Sequence, residues 1–373
     1  MQKNWNSLGL MSGTSGDGVD TSTISTNGVN QYNLIKNKYF EYDSDIYKDI
    51  HNLKEKIHKI EHLKKYNKEL NNLERKITIF HAKIVKELNV SDETIIGFHG
   101  QTIYHNPEEK ISKQLGNGKL LNQLTKKNVV FDFRSNDILN GGQGAPLTPI
   151  FHYLISLQHS IKLPVCFLNI GGISNITIVK DKEKLSELIS KDLGPGNCLI
   201  DNWVRKNSNK KFDKDGYLAN IGTKNEIIFE QAQELYVNRN NKNKLSFDTN
   251  DFDISFVRGL NLEDGVTTLT DFTASIIGEQ LTLCLKKFED KIQNILLCGG
   301  GRKNIILIKK IKENLSSKIN LKLIDDYHID GDFIESQAFA FLAIRSLQQF
   351  PISFPRTTGC KTPCIGGTLI KFK

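Results

Sequence analysis

The stretch GLMSGTSGDGVD, Gly9–Asp20, decides how the rest of this chain is read. An apolar run ends in a glycine-rich turn carrying the hydroxyls of Thr14 and Ser15. Alternating residues then resume in DTSTIST, so the segment is predicted as strand, turn and returning strand. A Walker phosphate loop needs G-x-x-x-x-G-K-[ST], and Gly118-Lys119 is followed here by Leu120; a dinucleotide fingerprint needs its glycines to open a helix. The turn therefore belongs to a β-hairpin. Such a tip can hold phosphate, because glycines let the backbone approach closely and present N–H groups, but a single one is more often an ordinary tight turn.

Working outward, PVCFLNIGGISNITIV from Pro164 to Val179 repeats the pattern of strand, glycine turn and strand, which predicts a duplicated hairpin. A third glycine cluster, Gly299–Gly301, follows the buried-strand run Ile295–Cys298 and precedes a predicted helix around Ile305–Ile311. An αβ stretch is predicted through Ile95–Thr102 and a strand at Val129–Phe133. A helix opens near Asn197 with Leu199, Ile200, Trp203 and Val204 inward, and another spans Phe333–Leu347. Between Arg205 and Phe247, surface loops are predicted around one helix at Ile227–Tyr236, and the tail CIGGTLIKF reads as a strand. Strands alternating with helices over 373 residues imply an α/β protein of two lobes.

The formal charge of +8 invites a nucleic-acid reading, but the lysines are dispersed. Ile46, Ile50, Leu53, Ile57 and Ile60, then Leu63 through Ile84, recur at helical steps, which leaves Lys54, Lys56, Lys64, Lys65 and Lys68 on solvated faces. No nucleic-acid partner is expected. The N-terminal residues lack the basic and apolar regions of a secretory leader and no apolar run reaches spanning length, so a cytoplasmic protein without a membrane partner is expected. The six cysteines are expected as buried thiols, and Cys360 and Cys364 in CKTPC are only a weak metal signal, with no second pair beside them.

Seven stretches in order carry a resemblance: GLMSGTSGDGVD, FHGQTIYHNP from Phe98, DFRSNDILNGGQGAPLTPIFH from Asp132, LNIGGISNIT from Leu168, DLGPGNCLID from Asp192, LLCGGGRKN from Leu296 and ESQAFAFLA from Glu335. Together they resemble the anhydro-N-acetylmuramic acid kinases, a family within the actin, hexokinase and 70-kDa chaperone ATPases. The resemblance implies a two-lobed actin-like ATPase of ribonuclease H-like fold, each lobe a mixed sheet flanked by helices. The first lobe is expected at residues 1–136 plus 338–373 and the second at 137–337. ATP and Mg²⁺ are the implied cofactors, and small molecules the partners, with a second copy of the chain as the candidate macromolecular partner.

The implied reaction opens the 1,6-anhydro bond of 1,6-anhydro-N-acetylmuramic acid with water and phosphorylates O6, a step of cell-wall recycling. The resemblance assigns phosphate and nucleotide contacts to Gly13, Thr14, Ser15, Gly16, Asp17, Gly18, Val19 and Asp20. It extends them to Asn169, Gly171, Gly172, Asn175, Gly299, Gly300, Gly301 and Asn304. Asp192 is implied as the base for water, with helix capping as its alternative role, and Glu335 as its helper, alternatively a helix-end surface glutamate. His99, Gln101, Arg134 and Asp137 are implied as sugar contacts, with a buried histidine and a structural salt bridge as the competing accounts of His99 and Arg134.

Two departures stand out. Gly16 replaces the family's usual residue, and the loop around Ser246 retains only NKLSFDTNDF. The superfamily's aspartate near Met11 or Ser12 is missing, which leaves the metal ligands unassigned, with Asp17 and Asp20 as candidates. Two other functions fit the same motifs: a kinase for an ordinary hexose, and a non-catalytic nucleotide-gated sugar-binding protein.

Overall fold

The computed structural model describes residues 3–238, 245–288 and 291–372. Its contacts divide the chain into two units, Met1–Ile161 with Asp181–Ile189 and Asp332–Lys373, and Lys162–Lys180 with Ser190–Gly331. The first boundary thus falls after Ile161 rather than at residue 136. The reason is local: Asp137 accepts hydrogen bonds from Ser353 and Thr358, and Gln143 N–H donates to Thr358 O, which ties this segment to the C-terminal tail.

In the first unit the chain runs β1 (Trp5–Ser12), β2 (Gly18–Thr26), β3 (Tyr32–Glu41), α1 (Ser44–Lys54), α2 (Ile60–Lys65), α3 (Asn67–Leu88), β4 (Ile95–Asn106), β5 (Ile111–Leu115), α4 (Gly118–Thr125), β6 (Val129–Phe131), α5 (Ser135–Leu139) and α6 (Pro149–Gln158). The second unit supplies β7 (Val165–Ile170), β8 (Ile173–Val179), β9 (Ile189–Pro195), α7 (Cys198–Asn207), α8 (Tyr217–Ile221), α9 (Glu226–Asn238), α10 (Leu262–Leu285), β10 (Asn294–Cys298), α11 (Ile305–Glu313) and β11 (Asn320–Leu323). The chain then returns to the first unit with α12 (Ile334–Leu347), α13 (Pro355–Thr358) and β12 (Thr368–Ile370).

The first sheet is ordered β12-β6-β4-β1-β2-β3, with β5 paired to β4. β1, β2 and β3 are antiparallel neighbours, whereas β4 lies parallel to β1 and β6 parallel to β4. Parallel pairing requires a crossover, and α1 to α3 supply it between β3 and β4. Ile46, Ile50, Leu53, Leu73 and Ile77 on those helices pack with Leu8, Leu10, Ile96 and Phe98 of the strands. The long helical series of the sequence is thus divided into three helices. On the other face, α12 presses directly on β1, so close that a Cβ at Gly9 would stand 1.8 Å from Ser336 O. Glycine is the residue that admits this approach.

The second sheet is ordered β11-β10-β7-β8-β9, with β7 and β8 antiparallel and β7, β10 and β11 parallel. Leu199, Ile200, Trp203 and Val204 of α7 are buried, as their spacing predicts, together with Leu269 and Phe272 of α10. Counted within each unit, the two sheets share one strand order, a hairpin at the centre and two parallel strands on its far side. This is the ribonuclease H-like arrangement, present twice.

Candidate active site

The sequence-predicted residues fall into one group per unit. In the first unit, the β1–β2 turn closes with Gly16 N–H donating to Gly13 O at 3.1 Å. Gly16 has φ +65°, a left-handed conformation that glycine adopts without strain, so its departure from the family's pattern suits the turn it makes. Side chains brace this turn. Gln101 Nε2 donates to Gly13 O at 2.9 Å, Lys54 Nζ to Thr14 O at 2.6 Å, and Ser15 Oγ to Asp17 Oδ1 at 2.6 Å. Gln101 is fully buried, yet its Oε1 finds no partner among the described residues. A buried amide oxygen without a donor is costly. Val19 points into the core and can offer only backbone.

Behind the turn lies a network that the motifs do not reveal. Ser12 Oγ meets Tyr42 OH at 2.6 Å and His81 Nε2 at 3.4 Å, and His81 Nδ1 bonds Ile77 O at 2.8 Å. A ring nitrogen facing a carbonyl must carry the proton, so Nε2 is the acceptor and the imidazole is neutral. Burial accordingly pushes His81 down to about 4. Ser12, Tyr42 and His81 thus form a chain of neutral groups behind the turn. Burial, followed by the nearby charges of Asp17, Glu41 and Asp20, raises the Tyr39 phenol.

His99 is buried and paired. Its Nδ1 bonds Gly100 O at 2.7 Å, while its Nε2 receives Arg134 Nη2 at 2.8 Å, and Arg134 Nη1 donates to Gly144 O at 2.7 Å. Burial and the Arg134 charge hold His99 well below the usual imidazole range. Asp137 is an interior carboxylate, 1% exposed, that accepts from Gly144 N, Ser353 Oγ and Thr358 Oγ1. Glu335 is half-buried in the first turn of α12, as its spacing predicts.

In the second unit, the Gly171–Gly172 turn is braced by backbone. Gly196 N donates to Gly172 O at 2.9 Å, Asn197 N to Gly171 O at 2.8 Å, and Cys198 N to Gly172 O at 3.1 Å, so the chain entering α7 lies on the turn. Asn169 and Asn175 face each other across β7 and β8, and Asn175 Oδ1, like Gln101 Oε1, has no partner among the described residues. Asp192 lies within β9 rather than at a helix start, which removes the capping alternative. It is 6% exposed, its own N–H donates to Leu245 O at 2.8 Å, and its Oδ2 accepts from Phe247 N at 2.8 Å. The Ser246 loop therefore holds the carboxylate, although Asn243 and Lys244 of that loop lie outside the described residues.

Gly299 has φ +79°, and a Cβ there would stand 2.4 Å from Asn169 Oδ1, which links the third glycine cluster to the hairpin. Gly300 faces open space. Asn304 caps α11 through Leu307 N at 3.0 Å. Arg302, which the glycine pattern overshadowed, anchors this turn with two bonds to Asp325 at 2.8 and 2.9 Å and one to Gly299 O at 3.1 Å. A bidentate guanidinium pair of this kind fixes orientation as well as charge.

A doubled ribonuclease H-like sheet with a glycine-turned hairpin in each unit, and a third glycine turn after β10, defines the class of actin-like ATPases and sugar kinases. Comparison with known proteins narrows it: the family Anhydro-N-acetylmuramic acid kinase matches residues 6–371, and the chain belongs to that family. An anhydro-N-acetylmuramic acid kinase of Pelagibacter ubique (strain HTCC1062) is 55% identical over 374 residues, covering 100% of both chains. One from Zymomonas mobilis is 36% identical, covering 97% of this chain and 98% of that one, and one from Agrobacterium fabrum is 34% identical over 98% of each. The protein is thus an ATP-using kinase. Among the described residues no helix is long and apolar enough to cross a membrane.

Proposed function

We propose that this kinase acts on 1,6-anhydro-N-acetylmuramic acid, adding water at the anomeric carbon while O6 receives the γ-phosphoryl group of ATP, and that it does so in the cytoplasm as a step of cell-wall recycling. The observation that carries the reading is Asp192, a nearly buried carboxylate whose one oxygen is fixed by the Phe247 N–H, on the strand beside the second glycine hairpin. A carboxylate oriented by a backbone donor is preorganised to take a proton from water.

As water attacks C1, its proton passes to Asp192, the C1–O6 bond breaks, and O6 forms the new bond to phosphorus while ADP departs. The products are N-acetylmuramic acid 6-phosphate and ADP. An ordinary glycosidase needs a second acid for the leaving oxygen, but here the phosphoryl group captures it, so one ionised carboxylate is sufficient. Glu335 is assigned to orienting water or sugar. Gly13–Asp20, Gly171–Gly172 with Asn169 and Asn175, and Gly299–Gly301 supply the N–H and amide donors for nucleotide. Mg²⁺, bound with ATP, would offset phosphate charge, and the carboxylates of Asp17 and Asp20 suit such a hard cation.

For the sugar, Gln101 Oε1 offers an acceptor to a hydroxyl. Arg134, turned by His99 and Gly144, offers its guanidinium to the lactyl carboxylate. Asp137 serves by shaping the loop that carries Arg134.

Asp192→Asn keeps the shape and removes the acceptor, so turnover should fall roughly 10²- to 10⁴-fold with nucleotide affinity nearly unchanged. In ¹⁸O-water the sugar phosphate should carry no label in its phosphate. Labelled phosphate as the main product, or phosphorylation of free hexoses with the anhydro-sugar untouched, would overturn the assignment.

A further inference from the structure

The loop that holds Arg134 is fastened to the C-terminal tail through Asp137, which lies beside two cysteines that the kinase reaction does not use. Cys360, Cys364 and Asp137 are all buried, and one ligand atom from each lies within 4.8 Å of the others. They form the one such group found among the described residues. Neither member of this pair is engaged in a disulfide.

The carboxylate itself is the second observation. Asp137 is 1% exposed, and its partners are the Gly144 N–H at 2.7 Å, the Ser353 hydroxyl at 2.5 Å and the Thr358 hydroxyl at 2.7 Å. Every one is neutral, and no salt bridge reaches Asp137 among the described residues. The pocket around this carboxylate thus contains donors but no counter-charge, which suits it to a cation. The neutral donors also do what an outer shell does for a metal-ligating carboxylate, fixing its rotation from behind. Ser353 and Cys364 form an isolated antiparallel bridge, with Cys364 N–H donating to Ser353 O at 3.0 Å, so the backbone presenting the thiol is held as well.

We propose that Cys360, Cys364 and Asp137 form a binding site for one thiophilic divalent cation, zinc under cellular conditions, that joins the Arg134–Gly144 loop to the C-terminal tail. Binding releases one proton from each thiol and forms two metal–sulfur bonds and one metal–oxygen bond, leaving a fourth position for Ser353 Oγ or water. Two sulfurs each about 2.3 Å from a tetrahedral ion lie roughly 3.8 Å apart, a separation compatible with ligand atoms that lie within 4.8 Å of one another. Soft thiolates select zinc or cadmium over magnesium, which separates this site from any cation accompanying ATP.

The test uses the full-length reduced protein and cadmium as the probe. One equivalent should saturate a sulfur-to-cadmium ultraviolet absorbance and raise the thermal midpoint. In the wild type, peptide mapping after alkylation of the partly unfolded protein should find Cys360 and Cys364 shielded by the ion and Cys166, Cys198, Cys284 and Cys298 unaffected. The pair Cys360→Ser and Cys364→Ser should abolish the absorbance, with circular dichroism checking its fold. Asp137→Asn should weaken cadmium roughly tenfold or more. No uptake by the wild type, shielding at other cysteines, or an absorbance that survives in the folded double variant would overturn the proposal.

Discussion

The two glycine hairpins share a place in the strand order and differ in what holds them. The β1–β2 turn is braced by side chains reaching in from β4 and α1, namely Gln101 and Lys54. The β7–β8 turn is braced by the N–H groups of Gly196, Asn197 and Cys198. Side-chain braces can be altered one at a time, whereas backbone braces fail only when the chain itself is displaced. The first unit also places three neutral buried histidines, His81, His99 and His152, in its interior. The structure thus duplicates an architecture while bracing its two turns by different means.

The largest effect should come from moving the backbone brace. A Cβ at Gly196 would stand 2.3 Å from Gly171 O, so Gly196→Ala must push the second turn away from α7. An ångström of misplacement in a phosphate-handling site costs on the order of 10²-fold, which steady-state kcat/KM for ATP should reveal. Activity near that of the parent would break the comparison by showing that the second turn tolerates displacement.

Acid should act next, and through the first unit. His81 falls from the usual 6.5 to about 4 by burial, so the unfolded chain binds more protons between those values. Its contribution is complete above about pH 6.5 and is lost as pH falls towards 4, up to about 3 kcal/mol. His99 and His152 are shifted in the same direction. Denaturant unfolding followed from pH 7.5 to 4.5 should show this loss. A flat profile would mean that the imidazoles are not the neutral groups their hydrogen bonds require.

A smaller effect is expected from Gln101→Ala, which removes one neutral hydrogen bond to Gly13 O and the unpaired amide oxygen. A bond of this kind contributes about 1 kcal/mol, so KM should rise several-fold with the fold unchanged. Lys54→Met should do least, because its ammonium bonds Thr14 O at an exposed position. A change under about twofold in KM is the expected result, and a larger one would show that this lysine meets phosphate directly.

Much of the site was legible in the sequence because its parts are local. A strand, a glycine turn and a returning strand are contiguous, and α7 shows one apolar stripe against one core, so Gly9–Asp20, Pro164–Val179 and the inward set Leu199, Ile200, Trp203 and Val204 are read without tertiary knowledge. Other elements left no comparable trace. Helix α10, with 24 residues, is buried on nearly every side from Gly265 to Ile277, so its apolar residues make no stripe to recognise. Arg302 was hidden for another reason: its partners Asp325 and Asp330 lie more than twenty residues away.

What the sequence determined by itself was the order of ordered motifs and hence the kinase family, since seven short stretches each encode their own turn or cap. Only the tertiary structure decided that Asp192 is a strand residue held by the Ser246 loop, that His99 accepts from Arg134, and that Asp137 joins Cys360 and Cys364 in one interior cluster. Those facts depend on contacts between residues far apart in the chain. No local propensity or spacing carries them, because each arises when a sheet brings separate strands and the returning tail into register.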